Sequence, residues 1–168
     1  MTRRQLPALG YVYVALALPA LLLGTRHAGT ASALFTVAAF AYFWFLASLR
    51  ALVIRFDPDG FFASVVVMGG ATFVALQGAA LVAADPRLAA PSSAGAAAVI
   101  FGASLAAWRA RKIPKWFGQA GVAGGIAVLT VGVVEGAADW TFAGDTVFAS
   151  SLGFMVWVVV TATYLLKR

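Results

Sequence analysis

Six long apolar runs follow one another along the chain, and charged residues, proline or glycine bound each of them. The length of each run is close to the about 17–25 residues that an α-helix needs to cross a bilayer. The polar and apolar positions do not alternate, so barrel strands are disfavoured. The pattern predicts an all-α polytopic transmembrane bundle with six spans, which forms one domain over residues 1–168. The predicted runs are Leu6–Leu23, Thr30–Ile54, Phe61–Ala83, Leu88–Trp108, Phe117–Gly136 and Thr146–Leu166.

The fourth run is the weakest of the six. It opens with Pro91, Ser92 and Ser93 and consists largely of alanine, so its insertion into a membrane is marginal. The connections between runs are short, and Arg55–Gly60 carries an Asp-Pro-Asp-Gly turn signal. Short connections predict that sequential helices pack as antiparallel neighbours.

Composition supports a membrane protein and narrows its chemistry. Hydrophobic residues make up 62% of the chain and charged residues 11%, whereas soluble domains carry about 25% charged residues. There is no cysteine, which excludes disulfides, thiolate metal sites and cysteine nucleophiles. His27 is the only histidine, and the sequence lacks the P-loop, His-Glu-x-x-His and Gly-x-Gly-x-x-Gly motifs. We therefore expect no cofactor, no metal and no catalytic residue.

The distribution of the basic residues predicts the orientation. With the N-terminus in the cytoplasm, ten of the twelve Lys and Arg fall in inside segments, and only Arg26 and Arg87 fall outside. Cytoplasmic loops carry this excess in membrane proteins, so both termini are predicted to be cytoplasmic. The same excess accounts for the net charge of +6, so we expect no nucleic-acid binding. The ten are Arg3, Arg4, Arg50, Arg55, Arg109, Arg111, Lys112, Lys115, Lys167 and Arg168.

The first run has an alternative interpretation. Arg3 and Arg4 precede it and Ala31-Ser32-Ala33 follows it, as in a cleaved signal peptide. We favour a retained helix, because Arg26, His27 and a second long apolar run follow at once.

Two groups of residues are candidates for contacts. Arg109, Arg111, Lys112 and Lys115 form a basic loop that either attracts anionic lipid or only sets the topology. In the fifth run, Gly121, Gly125, Val128, Gly132 and Gly136 fall within about 80° on a helical wheel. Such small residues let helix backbones approach closely in membranes, either within the chain or between subunits.

Glu135 is the candidate functional acid. It borders this glycine stripe in the last turn of its predicted helix, where the helix dipole disfavours an acid by about 0.3–1 kcal/mol. Two interpretations remain open: a solvated residue at the outer interface, or a partly buried acid paired with Arg26 or Arg87. By the same topology, Asp139 lies in the outer loop.

The sequence around the basic loop resembles a known group of proteins. Lys112–Gly118 reads Lys-Ile-Pro-Lys-Trp-Phe-Gly and precedes a Gly/Ala-rich run, and Arg55–Gly60 precedes a run that bears Gly69-Gly70. Both features are similar to those of multi-pass bacterial, largely actinobacterial, membrane proteins of the domain-of-unknown-function type with a Pro-Lys/Arg-Trp-x-Gly loop. The resemblance implies a bacterial plasma (inner) membrane protein and no catalytic or binding residues.

The sequence thus predicts a small non-enzymatic integral membrane protein. It would act through helix contacts, as an accessory subunit of a larger membrane complex or as a homo-oligomer, with membrane lipids around it. The alternative is a transporter or channel for a small solute or proton, which needs polar groups along a path. The residues that could supply such a path are Gln77, Thr72, Gln119, Thr130, Glu135 and Thr161.

Overall fold

Six α-helices account for most of the chain, and the prediction of an all-α fold is confirmed. The computed structural model describes residues 5–83, 85, 88–110, 113–137 and 143–167, without the side chains at 25, 26, 135, 136 and 143–148. No strand occurs among these residues. A 3-10 helix over Leu6–Ala8 leads into the first α-helix, and another over Gly24–His27 joins it to the second. The helices are α1 (Leu9–Leu23), α2 (Ala28–Ile54), α3 (Phe61–Ala83), α4 (Ser92–Arg109), α5 (Lys115–Ala137) and α6 (Ala143–Leu166).

The helices form a closed ring of antiparallel neighbours. Each packs against the next in the chain, and α6 returns to α1. The hydroxyls of Tyr11, early in α1, and Thr163, late in α6, are 2.6 Å apart and hydrogen-bonded. Helix α1 therefore begins, and α6 ends, at the same end of the bundle. We call this the basic end, because it carries Arg50, Arg55, Arg109, Lys115 and Lys167.

The Asp-Pro-Asp-Gly turn starts α3 at the basic end. A carboxylate oxygen of Asp57 accepts a hydrogen bond of 2.7 Å from the backbone N–H of Phe62. Side-chain oxygens stabilise a helix start in this way, because the first backbone N–H groups have no partner within the helix. Gly60 has a positive φ of 73°, a conformation that glycine adopts without steric cost.

Helix α4 differs from the other five in hydropathy and burial. Five segments, one in each of the other helical regions, are long and apolar enough to cross a membrane. In α4, twelve of eighteen residues are buried, so this helix presents little surface to lipid and needs few large apolar side chains. It begins at Ser92 rather than at Leu88 as predicted, because Leu88 is in a 3-10 conformation and Ala89–Pro91 form turns instead of an α-helix.

Glycines bring the backbones of α3 and α4 together. A Cβ placed on Gly95 would lie 2.6 Å from the carbonyl oxygen of Gly69 and 2.7 Å from the backbone nitrogen of Phe73. Real Cβ atoms do not come that close to backbone atoms. The side chain of Ala98 also faces Gly69. Gly69 and Gly95 therefore form a close contact between the two helices.

We predict opposite effects for the same substitution at two helical glycines. Gly95→Ala should lower the free energy of unfolding by about 1–3 kcal/mol, because the new methyl group overpacks against α3. Gly124→Ala should raise it by about 0.5–1 kcal/mol, since nothing lies within 4 Å of a Cβ at Gly124. Thermal unfolding in one detergent measures both. If Gly95→Ala is as stable as the parent, α3 and α4 do not approach as described.

Candidate functional site

Five aromatic side chains from α1, α2, α3 and α6 fill the interior of the bundle. We call them the aromatic layer: Tyr13, Tyr42, Phe45, Phe73 and Phe154, none more than 3% exposed. Tyr42 is at their centre. Its ring centroid lies 4.9 Å from that of Tyr13 and 6.0 Å from those of Phe73 and Phe154. The hydroxyls of Tyr13 and Tyr42 are buried and have no hydrogen-bond partner among the described residues.

The aromatic residues of the segment Phe40–Phe45 lie in two different environments. Tyr42 and Phe45 point into the layer, whereas Phe40, Phe43 and Trp44 are exposed on the outer surface of the bundle. The hydroxyl of Tyr42 fits against α3 because Gly70 has no side chain: a Cβ there would lie 3.1 Å from the Tyr42 oxygen.

The predicted glycine stripe of α5 lies against α4. A Cβ on Gly121 or Gly132 would collide with the side chains of Ser104 and Ser93, and one on Gly125 would lie 3.2 Å from the ring of Phe101. The stripe therefore makes contacts within the chain at these three positions. Val128 is buried, and the surroundings of Gly136 lie outside what the structure describes.

A cavity lies at the basic end, where α2, α4, α5 and α6 converge. It has a volume of about 20 Å³, measured as the space open to the centre of a water molecule. Phe56 and Ile113, in the α2–α3 and α4–α5 connections, form part of its wall. Its polar wall residues are Ser104 of α4 and Thr161 and Tyr164 of α6. The hydroxyls of Ser104 and Thr161 are buried without a hydrogen-bond partner in the described part of the chain.

The opposite end of the interior holds a polar pair whose groups satisfy each other. The hydroxyl of Ser92 donates a hydrogen bond of 2.9 Å to the side-chain oxygen of Gln77, and both residues are buried. Of the residues predicted to line a path, Gln77 and Thr161 are thus interior. Thr72, Gln119 and Thr130 are exposed on the outside of the bundle, so they line no interior path.

The basic loop is described only in part. The guanidinium carbon of Arg109 lies 4.8 Å from the centroid of the Phe62 ring, within the about 6 Å range of a cation–π contact. Arg109 therefore joins the end of α4 to the start of α3. Lys115 is exposed at the start of α5. Arg111 and Lys112 lie outside the described residues, so the lipid contact stays a prediction.

Glu135 belongs to α5, but its side chain and that of Arg26 lie outside the described part of the structure, as do Arg87 and Asp139. The predicted pairing of Glu135 stays a prediction.

The sequence analysis missed Tyr13, Tyr42 and Ser104 as interior polar residues. One signal was present for the tyrosines. Membrane tyrosines are enriched near the interfaces, whereas Tyr42 lies in the middle of α2. Ser104 gave no such signal, because its place opposite Gly121 follows from how α4 and α5 face each other.

No known protein family, curated protein or solved structure matches the chain significantly. The resemblance based on Lys112–Gly118 and Arg55–Gly60 therefore stays an expectation from the sequence.

The unpartnered hydroxyl in the aromatic layer gives a prediction. Tyr42→Phe should raise the free energy of unfolding by about 1 kcal/mol or leave it unchanged, because it removes a buried polar group without a partner and keeps the ring. Tyr42→Ala should lower it by about 3–5 kcal/mol, as for other large aromatic truncations in cores. Detergent unfolding curves of both variants test this. A clear loss of stability in Tyr42→Phe would mean that the hydroxyl has a partner.

Proposed function

We propose that the chain is a six-span protein of the bacterial plasma membrane, with its basic end and both termini in the cytoplasm. We further propose that it is not an enzyme and acts through its outer helix surfaces. It would serve as an accessory subunit of a larger membrane complex or form a homo-oligomer.

The observation that carries this proposal is the aromatic layer. Tyr42, Phe73 and Phe154 pack ring against ring in the interior, which leaves no polar path through the middle of the described bundle. Large apolar side chains are instead displayed outward, among them Phe40, Met68 and Val82, each at least 67% exposed. These observations favour a function that depends on the outer helix surfaces.

The charge distribution supports the proposed orientation. The described cations share one end of the bundle, as basic residues in cytoplasmic segments do in membrane proteins. These cations are Arg50, Arg55, Arg109, Lys115 and Lys167.

The packing of α4 supports the sixth span. Helix α4 is antiparallel to both neighbours: Gly95 faces Gly69 of α3, and Ser104 and Ser93 face Gly121 and Gly132 of α5. It therefore extends through the bundle between two helices that are apolar enough to span, although its own hydropathy is lower.

Single cysteines test the orientation, because the natural chain has none. His27 and Lys115 are both exposed and lie at opposite ends of the bundle. In intact cells, a membrane-impermeant thiol reagent should label His27→Cys at once, and Lys115→Cys only after permeabilisation. The reverse order would contradict the proposed orientation, and equal labelling of both would contradict a membrane-spanning bundle.

Purification in a mild detergent, followed by a mass measurement of the intact particle, tests the functional proposal. We expect a stoichiometric membrane-protein partner or a defined homo-oligomer. A monomer that moves ions or small solutes when reconstituted alone in liposomes would overturn the proposal.

A transporter or channel is the second candidate function. The buried hydroxyls of Tyr13, Tyr42, Ser104 and Thr161 favour it, because unpartnered polar groups inside a membrane bundle often mark a path. The aromatic layer argues against it, since a path would require these rings to separate.

A further inference from the structure

Two buried hydroxyls without a hydrogen-bond partner in the described structure line the cavity at the basic end. Ser104 and Thr161 are 1% and 3% exposed, and their hydroxyls have no partner among the described residues. Both residues line the same cavity. Buried polar groups are nearly always hydrogen-bonded, to protein or to ordered water, so two such hydroxyls around one space point to a molecule between them.

The size of the cavity and the polar groups in its wall indicate that this molecule is water. About 20 Å³ inside the cavity is open to the centre of a water molecule, so the cavity has room for water and is too small for a lipid chain. Hydroxyls can donate and accept, which suits water. The other wall residues are apolar apart from Tyr164 and Trp157, and the wall comes from four helices and two connections.

The indole N–H of Trp157 is a further polar group at the cavity. Trp157 also lines the cavity, and its indole nitrogen lies 3.7 Å from where a Cβ on Gly121 would be. The hydroxyl of Ser104 occupies the same place beside Gly121. An indole N–H is a donor, so Trp157 adds a group to the hydroxyls of Ser104 and Thr161, and about three partners are usual for a buried water.

We propose that the cavity is a binding site for ordered water, held by the hydroxyls of Ser104 and Thr161 and by the indole N–H of Trp157. The ring of Trp157 stacks on Phe154 at a centroid distance of 6.1 Å, and Phe154 belongs to the aromatic layer. The site is independent of the proposed function on the outer surface.

The sign of a stability change tests the proposal. Thr161→Val keeps the shape of the side chain and removes the hydroxyl. If the hydroxyl binds water, Tm should fall by about 2–4 °C, the shift expected when one hydrogen-bonded group is lost from a chain of this size. If the hydroxyl is dry, the substitution removes an unpartnered polar group, and Tm stays the same or rises. The second result would overturn the proposal.

Radiolytic labelling is the second test, because bound water generates hydroxyl radicals next to the side chains it touches. Leu49 and Phe45 lie one turn apart on α2 and are 1% and 0% exposed. Leu49 lines the cavity, and Phe45 belongs to the aromatic layer. Leu49 should be labelled several-fold faster, although phenylalanine is intrinsically the more reactive side chain. Equal labelling, or faster labelling of Phe45, would overturn the proposal.

The two hydroxyl variants complete the test. In the folded Thr161→Val and Ser104→Ala proteins, labelling of Leu49 should fall towards that of Phe45. Val160→Ala, on the exposed side of α6 next to Thr161, should leave it unchanged. Labelling of Leu49 that persists in both hydroxyl variants would mean that water reaches it by another route, and the assignment of Ser104 and Thr161 would be wrong.

Discussion

Helix α4 is held between α3 and α5 by contacts in which glycine stands where any side chain would collide. On one side the backbones of Gly69 and Gly95 meet, and on the other Gly121 and Gly132 receive serine side chains from α4. In a membrane, lipid tails are as apolar as leucine, so helices associate through close van der Waals packing rather than through the hydrophobic effect. This packing lets α4 consist largely of alanine, glycine and serine, and its low hydropathy follows from its enclosed position.

The small side chains of α4 also determine what fills the rest of the interior. Where α1, α2, α3 and α6 face one another, large rings occupy the space, and Gly95 receives the backbone of Phe73. Towards the basic end α4 contributes Ala103, Ser104 and Ala107, and the opposing side chains do not close the gap completely. The aromatic layer and the cavity are thus two outcomes of one distribution of side-chain volume.

Sequence patterns predicted the elements of this bundle better than its interior. Run length and polarity predicted six helices, glycine spacing placed Gly121, Gly125 and Gly132 on one face, and Asp-Pro-Asp-Gly predicted the turn before α3. The pairing of Tyr13 with Tyr42 and the position of Ser104 depend on how each helix is rotated about its axis. Consecutive aromatic residues such as Phe40–Phe45 cover every helix face, and only packing decides which of them point inward. The start of α4 was placed too early, because an apolar composition does not distinguish turns at Ala89–Pro91 from a helix.

The energetics of the aromatic layer bear on the choice between the two candidate functions. Five ring pairs link its members, and Tyr42 takes part in four of them. Aromatic pairs contribute about 0.5–1.5 kcal/mol each beyond the burial of their area, so separating several would cost a few kcal/mol before any solute gained a contact. The charged residues that the structure describes, which could offset this cost by binding a solute, lie at the ends of the bundle and not beside the layer. A solute path therefore requires both a rearranged core and new polar contacts, whereas association through the outer surface requires neither.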